Sequence, residues 1–268
     1  MDVNGPRRLR RMDILGEMRE TVVILGASNV QMCASGLIGE ALRAAGAAEA
    51  DVFVAAGHGR SYGEWSRMMG RGLPGIVDCG LWPALASRHG GDGGIAVITD
   101  IGNDLAYGVS GARLAGWVET CIVRLRGRGM RVAVSRFPAP SVSSMGWLRF
   151  QVLRAILFPS RRFSLASILA EGAELNERLE RSVEAAGASW VPLAPEIYGA
   201  DRIHWRLGSR PLAWSALTEP LHATATPGLP PRVTLQGARA ELRTLFGRER
   251  RSPQPCVRLA GGSTVSFF

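Results

Sequence analysis

Apolar residues cluster along this chain in two alternating rhythms. Five short runs, at 21–26, 51–56, 95–101, 131–135 and 189–193, are apolar. Four of them are β-branched and flanked by Gly, Asp or Arg, as strands are; the fifth is the weakest. Between the runs the apolar positions recur every three to four residues. Ile38, Leu42 and Ala45 do so in 30–45, Leu114, Val118, Cys121, Ile122 and Leu125 in 111–128, and Leu175, Leu179 and Val183 in 169–186. That period places each set on one face of a helix. Strands alternating with helices predict a three-layer α/β/α domain with a five-stranded parallel sheet in the flavodoxin-like order 2-1-3-4-5. Ligands of such sheets bind at the carboxyl ends of the strands.

Two segments interrupt the alternation. An insertion at about 137–167 contains the apolar stretch 147–158. The tail beyond 217 opens with Pro227, Pro230 and Pro231, continues through a short basic helix pattern at 238–246, and ends in two runs, 256–260 and 263–267, split by Gly261-Gly262. The last pair reads as a hairpin. The expected organisation is therefore a basic extension at 1–19, an α/β domain at 20–218, and a proline-rich linker with a basic extension at 219–268.

Composition agrees with a globular chain: 46% of the 268 residues are hydrophobic and 21% charged, which argues against a disordered or fibrous protein. The net charge is +9, and all 32 basic residues are arginine. Codon bias is the simplest account of the missing lysine. The charge is also uneven. Residues 20–218 carry 20 arginines against 17 acids, yet 120–170 holds nine arginines and no acid. With no nucleic-acid reading motif in the chain, no nucleic-acid partner is expected. The apolar stretch inside the acid-free segment reads in three ways: a buried helix, a lid above the strand ends, or a weak membrane-surface contact through 145–162. No run reaches the roughly 18–20 apolar residues of a membrane span. Acids follow Arg7, Arg8, Arg10 and Arg11, so no signal h-region is seen. Cys33, Cys79, Cys121 and Cys256 form no CxxC pair, which speaks against structural zinc or a disulfide framework and for a cytoplasmic setting.

Candidate chemistry gathers at three strand ends. Ser28 follows the first strand and opens a helix, where the dipole favours developing negative charge; the plain alternative is a helix cap. Asn103, after the third strand, can present an amide to an oxyanion or merely make an Asx-turn. After the fifth strand comes Asp201-Arg202-Ile203-His204. An Asp three residues before a His can hold Nδ1 and leave Nε2 for a serine. A rival serine, Ser61, lies in Gly59-Arg60-Ser61-Tyr62-Gly63, which matches the G-x-S-x-G nucleophile elbow but follows only the second strand.

Four blocks in order resemble the SGNH (GDSL-type) hydrolases over residues 20–218. They are Gly26-Ala27-Ser28-Asn29, with Ala27 in place of the usual Asp; Ala56-Gly57-His58-Gly59-Arg60-Ser61, without its asparagine; Gly102-Asn103-Asp104, where Ile101 stands at an expected Gly; and the intact D-x-x-H block. The resemblance implies an ester or acyl hydrolase without metal or organic cofactor. Ser28 would be nucleophile, His204 base and Asp201 its orienter. The Ser28 amide, the Gly59 (or Gly57) amide and the Asn103 side chain would form the oxyanion hole. Asn29, His58, Asp104 and Trp205 are expected to contact a small ester or acyl substrate. Two alternatives stand beside this: an acyltransferase using the same site, and a non-catalytic flavodoxin-like domain whose serine loop holds an anion. Oligomeric state is not readable.

Overall fold

A computed structural model describes residues 19–46, 49–88, 93–157, 162–223 and 229–268. In chain order the elements are β1 (Glu20–Leu25), α1 (Ser28–Ala45), β2 (Ala50–Ala55), β3 (Ser66–Met68), β4 (Arg71–Leu73), α2 (Leu81–Ala86), β5 (Ile95–Ile98), α3 (Asn103–Ala106) and α4 (Gly111–Arg126). There follow β6 (Arg131–Ser135), α5 (Ala139–Ser143), α6 (Trp147–Leu157), α7 (Leu165–Ala185), β7 (Ser189–Val191), α8 (Arg210–Thr218), β8 (Leu242–Leu245), β9 (Arg248–Arg251), β10 (Val257–Arg258) and β11 (Thr264–Phe267).

The five expected strands form and stand in the expected order. The main sheet runs β10-β11-β2-β1-β5-β6-β7, so the core order β2-β1-β5-β6-β7 is the flavodoxin-like one. Val22 lies in register with Val52 on one side and Ile95 on the other, all parallel. Helices cover both faces, which is why β1 is apolar without alternation: Val22, Val23, Ile24 and Leu25 are all fully buried. On one face α4 and α7 press Leu114, Val118, Ile122, Leu175 and Leu179 onto the sheet. On the other, α1 and α8 bring Leu37, Ile38, Ala213 and Leu217.

The sheet is two strands longer than expected. The terminal hairpin forms as predicted, β10 antiparallel to β11, but β11 also pairs in parallel with β2. The tail thus closes an edge the α/β body alone would leave open. One tail expectation is corrected. The 238–246 pattern is no helix: Leu242–Leu245 is a strand, paired with β4 and β9 in a second, four-stranded antiparallel sheet. Its turn explains the difference. Phe246 and Gly247 both have positive φ (47° and 80°), the two-residue geometry that reverses a strand onto its neighbour. Met69 and Gly70 turn β3 into β4 the same way (51° and 72°). The insertion folds into α5 and α6. The basic extension up to residue 18, His89 and the linker around Pro227 lie outside the described residues. Arg19 is described, and pairs with Glu49 and Asp51. No described helix is long and apolar enough to cross a membrane.

Candidate active site

The carboxyl ends of β1, β2, β5 and β7 deliver four loops to one edge of the main sheet. β1 ends at Leu25, and α1 begins at Ser28. Gly26 makes the close approach possible, since a Cβ there would lie 2.5 Å from Val30 Cγ2. The loop after β7 turns at Arg202 (φ 63°), and the amides of Ile203 and His204 donate to Asp201 Oδ1 at 3.1 and 2.9 Å. This local fold-back is what the D-x-x-H spacing requires. It sets Asp201 Oδ2 2.6 Å from His204 Nδ1, and His204 Nε2 lies 2.9 Å from Ser28 Oγ. Those separations are within hydrogen-bond reach at both steps.

The charges follow from the contacts. Burial opposes ionisation of Asp201, but the His204 ring and the two amides outweigh it and hold its pKa at about 2. His204 is raised above the ordinary histidine value, first by its hydrogen bond to Asp201, against the opposing effect of burial. His58 is shifted the other way, by burial and by facing His204 and Arg71. A carboxylate that stays ionised beside Nδ1 fixes the tautomer with the proton on Nδ1 and the lone pair on Nε2, toward Ser28.

The glycine loop supplies a second wall. Gly59 has a positive φ of 63°, and a Cβ there would sit 2.6 Å from Met68 Cε and 2.8 Å from the Tyr107 hydroxyl. The Tyr107 hydroxyl donates to the Gly59 carbonyl at 2.6 Å. The Gly59 and Ser28 amides make no hydrogen bond among the described residues. Gly59, Ser28 and Asn103 all line one cavity of about 250 Å³, whereas Gly57 does not line it and faces Leu73. Of the two glycines left open, Gly59 is therefore the one that lines the cavity with Ser28. Arg60 anchors the loop from behind. Its fully buried guanidinium donates to the carbonyls of Pro74 (3.1 Å), Ala56 (3.4 Å) and Phe268.

Of the four residues expected to contact substrate, Asn29, His58 and Trp205 line the cavity, and Asp104 does not. Asp104 is fully buried and turned inward, accepting from the Ser61 hydroxyl and from the Tyr62 amide at 3.0 Å. It braces the glycine loop. Ser61 is also fully buried, and its oxygen accepts from the amides of Gly63 and Glu64 at 3.1 and 2.8 Å. Its geometry is that of a turn-capping serine, and among the described residues it makes no hydrogen bond to a histidine. Asn29 borders the cavity yet spends both ends of its amide inside the protein. Its Nδ2 donates to Asp100 (2.7 Å) and to the Ile203 carbonyl (3.1 Å), and its Oδ1 accepts from the Trp205 amide (2.8 Å). It ties the serine helix to the histidine loop.

Sequence reasoning passed over Asp100. It holds a left-handed conformation (φ 58°), and its Oδ2 accepts from the amides of Ala27, Asn29 and Val30 at 2.9, 2.8 and 3.1 Å. Burial raises its pKa, against these hydrogen bonds and the nearby His204. A cross-sheet carboxylate thus satisfies the first amides of α1, where Ala27 offers no side-chain cap. The available signal was an acid directly after a buried strand, one loop away from the serine.

No protein-family model and no curated protein sequence matches the chain. Among solved structures, one crystal structure superposes with a TM-score of 0.52, at 17% identity over 76% of this chain and 97% of its own. A carbohydrate acetylesterase family member from Sinorhizobium meliloti gives 0.49 at 14% identity, over 75% of this chain and 96% of its own. TesA gives 0.48 at 16% identity, over 75% and 98%. At such identities the likeness is one of fold alone, a mostly parallel sheet covered by helices on both faces. What this chain does with that fold rests on its own residues.

Proposed function

We propose that the chain is a serine-dependent ester hydrolase. The observation that carries this reading is the hydrogen-bonded series Asp201–His204–Ser28, facing a cavity that also holds the Gly59 loop and Asn103. In the first step Ser28 Oγ forms a bond to the ester carbonyl carbon while its proton passes to His204 Nε2. The carbonyl electron pair moves onto oxygen, where the Ser28 and Gly59 amides and the Asn103 side chain donate to it. Loss of one such donor typically costs about 3 kcal/mol of transition-state stabilisation. The carbon–oxygen bond to the alcohol then breaks, and His204 returns its proton to the leaving oxygen. Water repeats the sequence on the acyl-serine: its proton goes to His204, its oxygen to the carbonyl carbon, and Ser28 leaves protonated.

One observation favours this over an anion-binding serine loop. The Asn29 and Val30 amides, which an anion at the start of α1 would need, are already taken by Asp100. A fluorophosphonate probe tests the reading directly. Ser28 should be labelled, and Ser28→Ala should lose the label together with about a millionfold of ester turnover. An unlabelled wild-type protein, or label that persists in Ser28→Ala, would overturn it.

A further inference from the structure

The cavity beside Ser28 holds the serine, His204 and Asn103 together with a larger apolar lining. The rest of the wall includes Phe137, Val142, Met145, Phe150, Leu153 and Ile168, brought in by the insertion and the start of α7. Two arginines reach the wall, but Arg136 is held by Glu180 and stacks on Trp190, and Arg154 donates to Gln151. Arg136 is thus engaged by a carboxylate.

The apolar part is built as an enclosure. Phe137 is wedged between two glycines: a Cβ at Gly102 would come within 2.8 Å of its ring, and one at Gly172 within 2.2 Å. Phe150 meets Phe163 edge-on at 5.8 Å. The insertion is also fastened to the loop that carries Asp201. The Ser141 hydroxyl, on α5, donates to the Arg202 carbonyl at 3.0 Å, and Arg149, on α6, donates to the Ala200 carbonyl at 2.8 Å. The apolar wall and the histidine loop therefore hold a set relation to each other.

We infer that this enclosure takes the unbranched acyl chain of a medium-chain ester. The inference rests on the ester-hydrolase reading and names its substrate class. In a serine mechanism the acyl half stays bonded to Ser28 through both steps, so it is the half an enclosed slot can hold. The alcohol must leave, and the open side carries the exposed His58 and Met69. Taking the roughly 30 Å³ of a liquid water as the room for one heavy atom, the whole cavity of about 250 Å³, its serine end included, holds about eight, the ester carbonyl among them. Each methylene buried there should raise kcat/KM about fourfold until the slot is full.

The test is a series of p-nitrophenyl esters from acetate to palmitate on the full chain, with a series of alkyl acetates beside it. A rise of kcat/KM to a maximum near eight carbons in the acyl series is expected, with little dependence on alkyl length. Acetate as the best acyl group, or a rise only in the alkyl series, overturns the inference. Labelling by a short fluorophosphonate separates the two levels: a labelled Ser28 with an acetate optimum sinks this inference alone, whereas an unlabelled Ser28 sinks the hydrolase reading as well. Two substitutions should move the optimum in opposite directions. Leu153→Trp fills the slot and should lower the octanoate-to-acetate ratio at least tenfold. Met145→Ala enlarges it and should shift the maximum to longer chains. An optimum that stays in place in folded Met145→Ala refutes the placement of the chain.

Discussion

Asp201 and His204 make the sharpest residue-scale case, because each holds the other's charge. The carboxylate stays ionised far below neutrality, and its presence raises the pKa of His204. Only neutral His204 can take the serine proton, so kcat/KM should climb with pH as the ring loses its own proton, above the ordinary histidine range. Asp201→Asn removes the raising partner. The rising limb should then move to lower pH, while the plateau falls by about ten-thousandfold through loss of the correct tautomer. A pH–rate profile checks both, and a limb that does not move would contradict the pairing. At the same scale, Ala27 shows how a helix start can be capped from a neighbouring strand end. The helix start lacks a side-chain cap from its own residue, and Asp100 supplies the carboxylate from the neighbouring strand end.

Elements were legible to the extent that their period was local. Helices α1, α4 and α7 fall within a few residues of the spans expected from apolar spacing, because burial on one face writes itself into the sequence every three to four positions. The D-x-x-H loop was legible for a similar reason: its fold-back spans three residues. The glycine loop was not. Whether Gly57 or Gly59 lines the serine's cavity depends on Tyr107, Met68 and Leu73, which lie outside the loop. The G-x-S-x-G match shows the same limit, since Ser61 is turned into the protein by Asp104 of α3. Ser61→Ala should therefore keep the fluorophosphonate label on Ser28. It should also lower stability by about 1–3 kcal/mol, because Asp104 loses a buried donor. Denaturant unfolding and labelling on the same sample measure both; a loss of label with stability intact would restore Ser61 as a reacting group.

For the whole molecule, the tail is part of the sheet rather than an appendage to it. Val265 of β11 is fully buried in register with Val52, and Phe268 packs in the core, its ring 6.0 Å from that of Phe53. Val265→Ala should destabilise the whole α/β body by about 2 kcal/mol, seen as one cooperative shift in denaturant unfolding. A separate early transition would instead mark an independent tail. The arginine excess changes meaning at this scale too. Arg60 is fully buried behind the glycine loop, and Arg124 and Arg136 lie over the rings of Trp82 and Trp190. Arg60 is therefore internal fastening, whereas Arg124 and Arg136 keep their charge at the surface while stacking on indoles. By itself the sequence determined the layers, the order of the five inner strands and the three loops that bring Ser28, Asn103 and His204 to one edge, because short-range periodicity and chain connectivity constrain them. Only the tertiary structure decided which glycine lines the serine's cavity, which carboxylate caps its helix, which apolar residues wall the cavity and where the tail pairs. Those outcomes depend on contacts between residues tens to hundreds of positions apart, and such contacts leave no period along the chain.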